Sequence, residues 1–207
     1  MITTKQMKAL ERHAHTQGIF PKDLMEHAGR QVYTVTYENY DLRGKHIIFF
    51  CGQGNNGGDG FVAAKYFAQE NPVVVLFFGE KEKLTEEARE KYDGLKKSVT
   101  IVPITSQDDL KRFHIQPTLD LVLVDALLGT GFQGELHDPI SFAIDYFNSL
   151  PGIKIAIDIP SGLDPDRGMV HEKVCQADLI ITFHDLKQGL EQLQDKSIVV
   201  DIGLPFS

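Results

Sequence analysis

Between Gly52 and Gly60 the chain runs GQGNNGGDG, five glycines in nine residues. Glycine carries no side chain to pack and loses the most backbone freedom on folding. Such density would ruin an ordinary strand or helix, so the backbone here must bend sharply or approach something closely. The apolar run Ile47-Ile48-Phe49-Phe50-Cys51 just before it has the pattern of a buried strand, and Phe61–Gln69 that of the following helix. Strand, glycine turn and helix together aim backbone N–H groups and a helix dipole at an anion, usually a phosphate. Gly52, Gly54 and Gly57 also satisfy G-x-G-x-x-G in that context. A nucleotide-like ligand is the first expectation.

Composition bounds the rest. A chain of 207 residues, 42% of them hydrophobic, can build one sizeable core but hardly a second full domain. A net charge of −8 argues against non-specific nucleic-acid binding, which needs a broad basic surface. A small anion held by backbone amides stays open. Cys51 and Cys175 sit in apolar contexts with no CxxC pair, and are expected as buried free thiols. The opening MITTKQMKALERH has the pattern of a polar helix, not a signal peptide, and no apolar run reaches membrane-spanning length. A soluble, cytoplasmic protein is expected.

Apolar segments and helix-length segments alternate along the chain. Thr3 or Thr4 can cap a first helix, and Pro21 opens a second carrying Leu24, Met25, Ala28, Val32 and Val35. Strands are expected at 45–51, 73–78, 99–102, 119–124, 153–157, 179–183 and 198–200, with helices over 59–70, 85–97, 106–114, 139–150 and 186–194. Asp138 before Pro139 has the character of an N-cap. Strands this apolar, separated by helices, predict one doubly wound domain with a mostly parallel sheet covered on both faces.

In such a fold, ligands bind beyond the carboxyl ends of the strands. Three polar loops fall there: Gly52–Gly60, Asp125–Glu135 and Asp158–Asp164. Asn55 and Asn56 can accept left-handed backbone angles or present amide groups at the helix entrance; Asp59 can cap the helix or touch ligand. Gly129, Gly131 and Gly134 allow a second backbone approach, with Thr130 and Gln133 as hydrogen-bonding groups, although a flexible surface loop has the same composition. Asp158 follows the apolar Ile153–Ile157, so its carboxylate sits at a buried strand mouth. That placement suits proton transfer, and a turn-forming Asp would also fit the D-I-P-S-G sequence. Asp125, Asn56 and Ser161 carry the oxygen types that suit a hard cation. HExxH, a phosphate-binding GKS or GKT, and GxSxG do not occur.

These segments together resemble the YjeF N-terminal domain family, whose enzyme members are NAD(P)H-hydrate epimerases. The similar stretches are MKALE (Met7–Glu11), LMEHAGR (Leu24–Arg30), GQGNNGGDGFVAA (Gly52–Ala64), VDALLGTGFQGEL (Val124–Leu136), AIDIPSGLD (Ala156–Asp164) and DIGLP (Asp201–Pro205), in the family's order. The resemblance implies a single-domain, Rossmann-like three-layer α/β/α sandwich over residues 1–207. It implies an isomerase that interconverts the R and S forms of hydrated NADH and NADPH (NADHX, NADPHX) at carbon 6 of the nicotinamide ring. A separate ADP- or ATP-dependent dehydratase would restore the S form, and a homodimer is expected. Carried over by residue, Asn55, Asn56, Gly57, Gly58, Asp59, Gly129, Thr130, Gly131, Phe132, Gln133, Gly134, Glu135 and Asp158 would contact substrate. Asn56, Asp125 and Ser161 would bind a potassium ion, and Asp158 would be the catalytic acid/base. The chain departs from the family's frequent lysine-proline-glycine step at Lys187-Gln188-Gly189, which bears on the local turn. A non-catalytic nucleotide- or protein-binding scaffold of the same fold is the alternative. Retention of Asp158 and of the oxygen trio favours the enzyme. Neither a nucleic acid nor a membrane is expected as a partner.

Overall fold

A computed structural model of the chain describes residues 1–116, 118–132 and 134–205. In order, the elements are α1 (Thr4–Thr16), α2 (Pro21–Asn39), β1 (His46–Cys51), α3 (Asn55–Phe67), β2 (Val73–Phe77), α4 (Glu86–Leu95), β3 (Thr100–Pro103), α5 (Gln107–Arg112), β4 (Leu121–Ala126), α6 (Ile140–Ser149), β5 (Ile153–Ile157), β6 (Leu179–Phe183) and β7 (Ser197–Val200). Two 3₁₀ stretches lie at Lys81–Lys83 and Gln188–Lys196. The sheet has seven parallel strands in the order β3-β2-β1-β4-β5-β6-β7.

Side chains alternate across this sheet and fill two large cores and a smaller one around Ala156, Ile180 and Leu190. Ile47, Phe49 and Cys51 of β1 join one large core with residues of α1 to α4; Ile48 and Phe50 join the other with Phe142, Ala143 and Phe147 of α6. Burial on both faces is what the near-continuous apolar strands require. Both cysteines are buried and free. Thr3 caps α1 through a capping box with Gln6, and Pro21 occupies the first turn of α2.

Several boundaries differ from the sequence expectation. The third helix begins at Asn55, with Gly54 as its cap, not at residue 59 or 61. Glycine is a poor helix former, so its run suggested a loop. Packing overrides that preference: a Cβ at Gly57 would collide with the Gly52 carbonyl, and one at Gly58 with the Met25 side chain. Asp59 therefore lies within the helix and does not cap it. Asp138 does not cap α6 either; Pro139 holds that position, with no side-chain cap. Asp125 lies inside β4, paired in register with Phe50 and Ala156, and does not follow the strand. The final helical stretch is a 3₁₀ segment kinked at Leu193.

Candidate active site

Strand order reverses between β1 and β4, so the turns leaving these neighbours diverge and open a crevice at their carboxyl ends. A cavity of about 960 Å³ occupies this place. Gln53, Asn55, Asn56 and Asp59 form one wall, Gly129 to Phe132 and Glu135 another, and Asp158 and Phe183 close one end. Met7 and Glu11 of α1, with Leu24, Met25 and Ala28 of α2, contribute the remaining side. The apolar wall and few convergent polar groups are those of a small-molecule site.

The crevice is narrow at its root because the turns interlock. The Gly52 amide donates to the Ala126 carbonyl at 3.0 Å, and a Cβ at Gly52 would strike the Leu127 carbonyl. Asn56 Nδ2 donates to the Leu128 carbonyl at 2.8 Å, and the Leu128 amide donates to Ser161 Oγ at 2.9 Å. Ser161 in turn gives its hydroxyl and its backbone N–H to Asp125, at 2.6 and 2.8 Å, and the Leu127 amide donates to the same carboxylate at 3.1 Å. Asn56, Asp125 and Ser161 are thus joined in one network spanning three crossover turns.

This network has an electrostatic deficit. Asp125 is fully buried, burial pushes its carboxyl up, and among the described residues no cation pairs with it. The Cys175 thiol also lies against Asp125; burial first, and that carboxylate second, push the thiol well above its usual range. Asn56 Oδ1 is buried with no hydrogen-bond partner. A buried carboxylate joined through Ser161 and Leu128 to an asparagine with an unused amide oxygen fits a hard monovalent or divalent cation. Among the described residues no cluster of three His, Cys, Asp or Glu side chains is arranged for a metal, which leaves a mixed set of amide, carboxylate and hydroxyl oxygens.

Asp158 follows β5 directly, with φ of 65° in the left-handed region, which Asp tolerates better than most residues. Its amide is fixed to the Ile181 carbonyl at 2.8 Å. Its carboxylate pairs with Lys187 Nζ at 2.6 Å, while Thr182 Oγ1 stands 3.4 Å away. Lys187 is 1% exposed and also donates to the Phe183 carbonyl at 2.7 Å. The lysine loop is itself held from a distance: Ile2 forms a parallel bridge with Lys187, and Thr4 donates to both carboxylate oxygens of Asp166 at 2.7 and 2.6 Å.

Two further carboxyls face the same cavity. Burial, with the Asp158 and Glu11 carboxylates nearby, pushes the Asp59 carboxyl well above its usual range, and Lys187 opposes this. Glu11 stands exposed at the cavity mouth; the surrounding protein and Asp158 push its carboxyl up, against the pull of Lys187, Lys8 and Arg12.

Residues 21–189 match the family model described as YjeF-related protein N-terminus. The chain belongs to this family. Among YjeF-related relatives, the NAD(P)H-hydrate epimerase of Nitrosopumilus maritimus is 36% identical over 99% of this chain and 95% of its own length. The NAD(P)H-hydrate epimerase of Cenarchaeum symbiosum is 34% identical, again over 99% of this chain and 95% of its own. The bifunctional NAD(P)H-hydrate repair enzyme of Pyrobaculum aerophilum is 36% identical over 99% of this chain, which spans 42% of that longer protein. The crystal structure of yeast ynu0 superposes with a TM-score of 0.84 at 20% identity, covering 100% of this chain and 95% of that one, a likeness of fold.

Of the residues singled out from the YjeF-like segments, Asn55, Asn56, Asp59, Gly129, Thr130, Gly131, Phe132, Glu135 and Asp158 line the cavity. Gly57 and Gly58 lie behind the wall as packing positions, and Gly134 is not among the lining residues. Gln133 lies outside the described residues. Asp125 and Ser161 sit beneath the surface and reach the cavity through Asn56 and Leu128. Sequence reasoning took Lys187 only as part of a turn and left Glu11 without a role. A lysine within the sequence FHDLKQG carries no local sign that it will be buried, since its partner is 29 residues upstream.

Proposed function

We propose that this protein is an NAD(P)H-hydrate epimerase, an isomerase that interconverts the R and S forms of NADHX and NADPHX. One observation carries the reading: three crossover turns converge on a single cavity with the Asp158 carboxylate at its wall, in a chain related over nearly its full length to such enzymes. The N-terminus of α3, Gly54 to Asn56, lines the crevice and suits a diphosphate, whose charge the helix dipole favours. Gly129 to Phe132 and Glu135 line the opposite wall and would position the rest of the dinucleotide. Holding both ends leaves the damaged ring free to be remade from either face.

The reacting carbon bears a hydroxyl and a ring nitrogen, so its configuration is lost by reversible departure of water or by ring opening. Either route needs a group that gives and takes a proton there. Asp158 takes part in that proton transfer, and Lys187 fixes its orientation. Asn56, Asp125 and Ser161 would hold a potassium ion, which supplies the positive charge that the buried Asp125 lacks. No net oxidation occurs, so no hydride carrier is required. A homodimer, a cytoplasmic location, and an ADP- or ATP-dependent dehydratase as pathway partner complete the proposal.

The test mixes R- and S-NADHX with an S-specific dehydratase and its nucleotide, then adds this protein. Accelerated consumption of the R form is expected; R-NADHX persisting at the uncatalysed rate would refute the reading. Asp158→Asn should abolish the acceleration while ADP-ribose binding stays measurable by calorimetry. Unchanged turnover in that variant would remove Asp158 from its role.

A further inference from the structure

Asp158 alone does not supply both halves of a proton cycle. Its carboxylate is already engaged through Oδ1 by Lys187 at 2.6 Å, and its other oxygen, without a partner among the described residues, is placed to accept a proton. A donor must come from elsewhere in the cavity. Asp59, on the second turn of α3, lines the same cavity and has neither an ion-pair nor a hydrogen-bond partner among the described residues. The charged groups that act on it are Asp158, Glu11 and Lys187, two negative and one positive. Three carboxyls around one ammonium leave an excess of negative charge, and the one without a cation retains its proton most readily. The wall that α2 contributes is apolar, through Leu24, Met25 and Ala28, so no cation from that side relieves it.

We infer that Asp59 is the proton donor of the epimerase and Asp158, with Lys187, the proton acceptor; the inference rests on the function proposed above. In the forward step the C6–O bond breaks and its electron pair leaves with the oxygen. That oxygen takes the Asp59 proton and departs as water, while the ring nitrogen lone pair closes a C=N bond. The resulting cationic ring faces the Asp59 and Asp158 carboxylates, which stabilise it more than they stabilise the neutral substrate. In the return step water adds to the opposite face, the C=N electron pair goes back to nitrogen, and Asp158 takes the surplus proton. That proton returns to Asp59 through the water of the open cavity, and the starting state is restored with nothing consumed. Glu11 touches no reacting atom; it is a positioning residue whose charge at the cavity mouth helps keep Asp59 protonated.

The dehydratase-coupled assay with R-NADHX decides the matter. Asp59→Asn keeps the shape of the side chain but cannot replace its proton. Its kcat should fall by about 10²- to 10⁴-fold, with ADP-ribose affinity within about threefold of wild type. The wild-type rate should also decline at high pH as Asp59 ionises, and that alkaline limb should be missing from the residual rate of the variant. Glu11→Gln, at an exposed position, should keep the fold and move the limb to lower pH, because removing a negative neighbour makes Asp59 a stronger acid. Wild-type kcat in Asp59→Asn, or a limb unmoved in Glu11→Gln, would overturn the inference. If Asp59→Asn failed to fold by circular dichroism, the limb in Glu11→Gln alone would decide. A wild-type protein with no effect on R-NADHX would instead reject the function itself.

Discussion

At the scale of single residues, the site is built from charges kept in unfavourable places. Asp125 is enclosed without a cation, and Asp59 lines the cavity beside other carboxyls. The second arrangement has a pH signature in stability. Burial and its neighbours lift Asp59 above its value in the unfolded chain, so the folded form binds that proton more tightly. Its contribution is fully present below the unfolded pKa and is lost as pH rises through the folded one. Asp59→Asn should therefore gain stability relative to wild type as pH rises, measured by urea denaturation at about pH 5 and pH 8. Equal differences at the two pH values would show that Asp59 is not strained by its surroundings. Sequence made Asp59 visible as a polar group beside glycines but left helix capping open as its purpose. Only its position within α3, behind the true cap at Gly54, removes that option.

Among the elements, the junction of β1, α3, β4 and β5 decides whether a crevice exists. Gly57 illustrates why: its α-carbon lies against the Gly52 carbonyl, so an added methyl must push the turn away from the helix. Gly57→Ala should cost about 1–3 kcal/mol of stability and weaken ADP-ribose binding. Gly54→Ala, with open space around its α-carbon and φ of −85°, should leave the turn in place and cost about 0.5–1 kcal/mol, because alanine caps a helix less well than glycine. The same junction holds the proposed potassium site. Raising potassium against sodium at constant ionic strength should raise the melting temperature of the wild type, since a ligand of the folded form stabilises it. Asp125→Asn should lose that response; a wild type indifferent to potassium would remove the ion from the proposal. The strands of this junction were legible from their apolar runs. The early start of α3 was not, because glycine's poor helix propensity is overruled by contacts with residues far along the chain.

For the whole molecule, alternation of apolar and helical segments foretold the doubly wound sheet, and with it the rim on which three polar turns gather. That inference succeeds because parallel strands buried on both faces leave a strong periodic trace. What the pattern could not show is which distant residues meet. Lys187 and Asp158 come from turns after different strands, Glu11 comes from the first helix, and no local signal links them. The bridge between Ile2 and Lys187 carries this further. The chain's opening residues buttress a lysine that lies 185 positions downstream, so the Asp158 end of the crevice cannot be assembled from the amino-terminal two-thirds alone. Loop closure over such a span is slow relative to local pairing. A nascent chain would thus complete its sheet's first strands well before Lys187 could pair with Asp158.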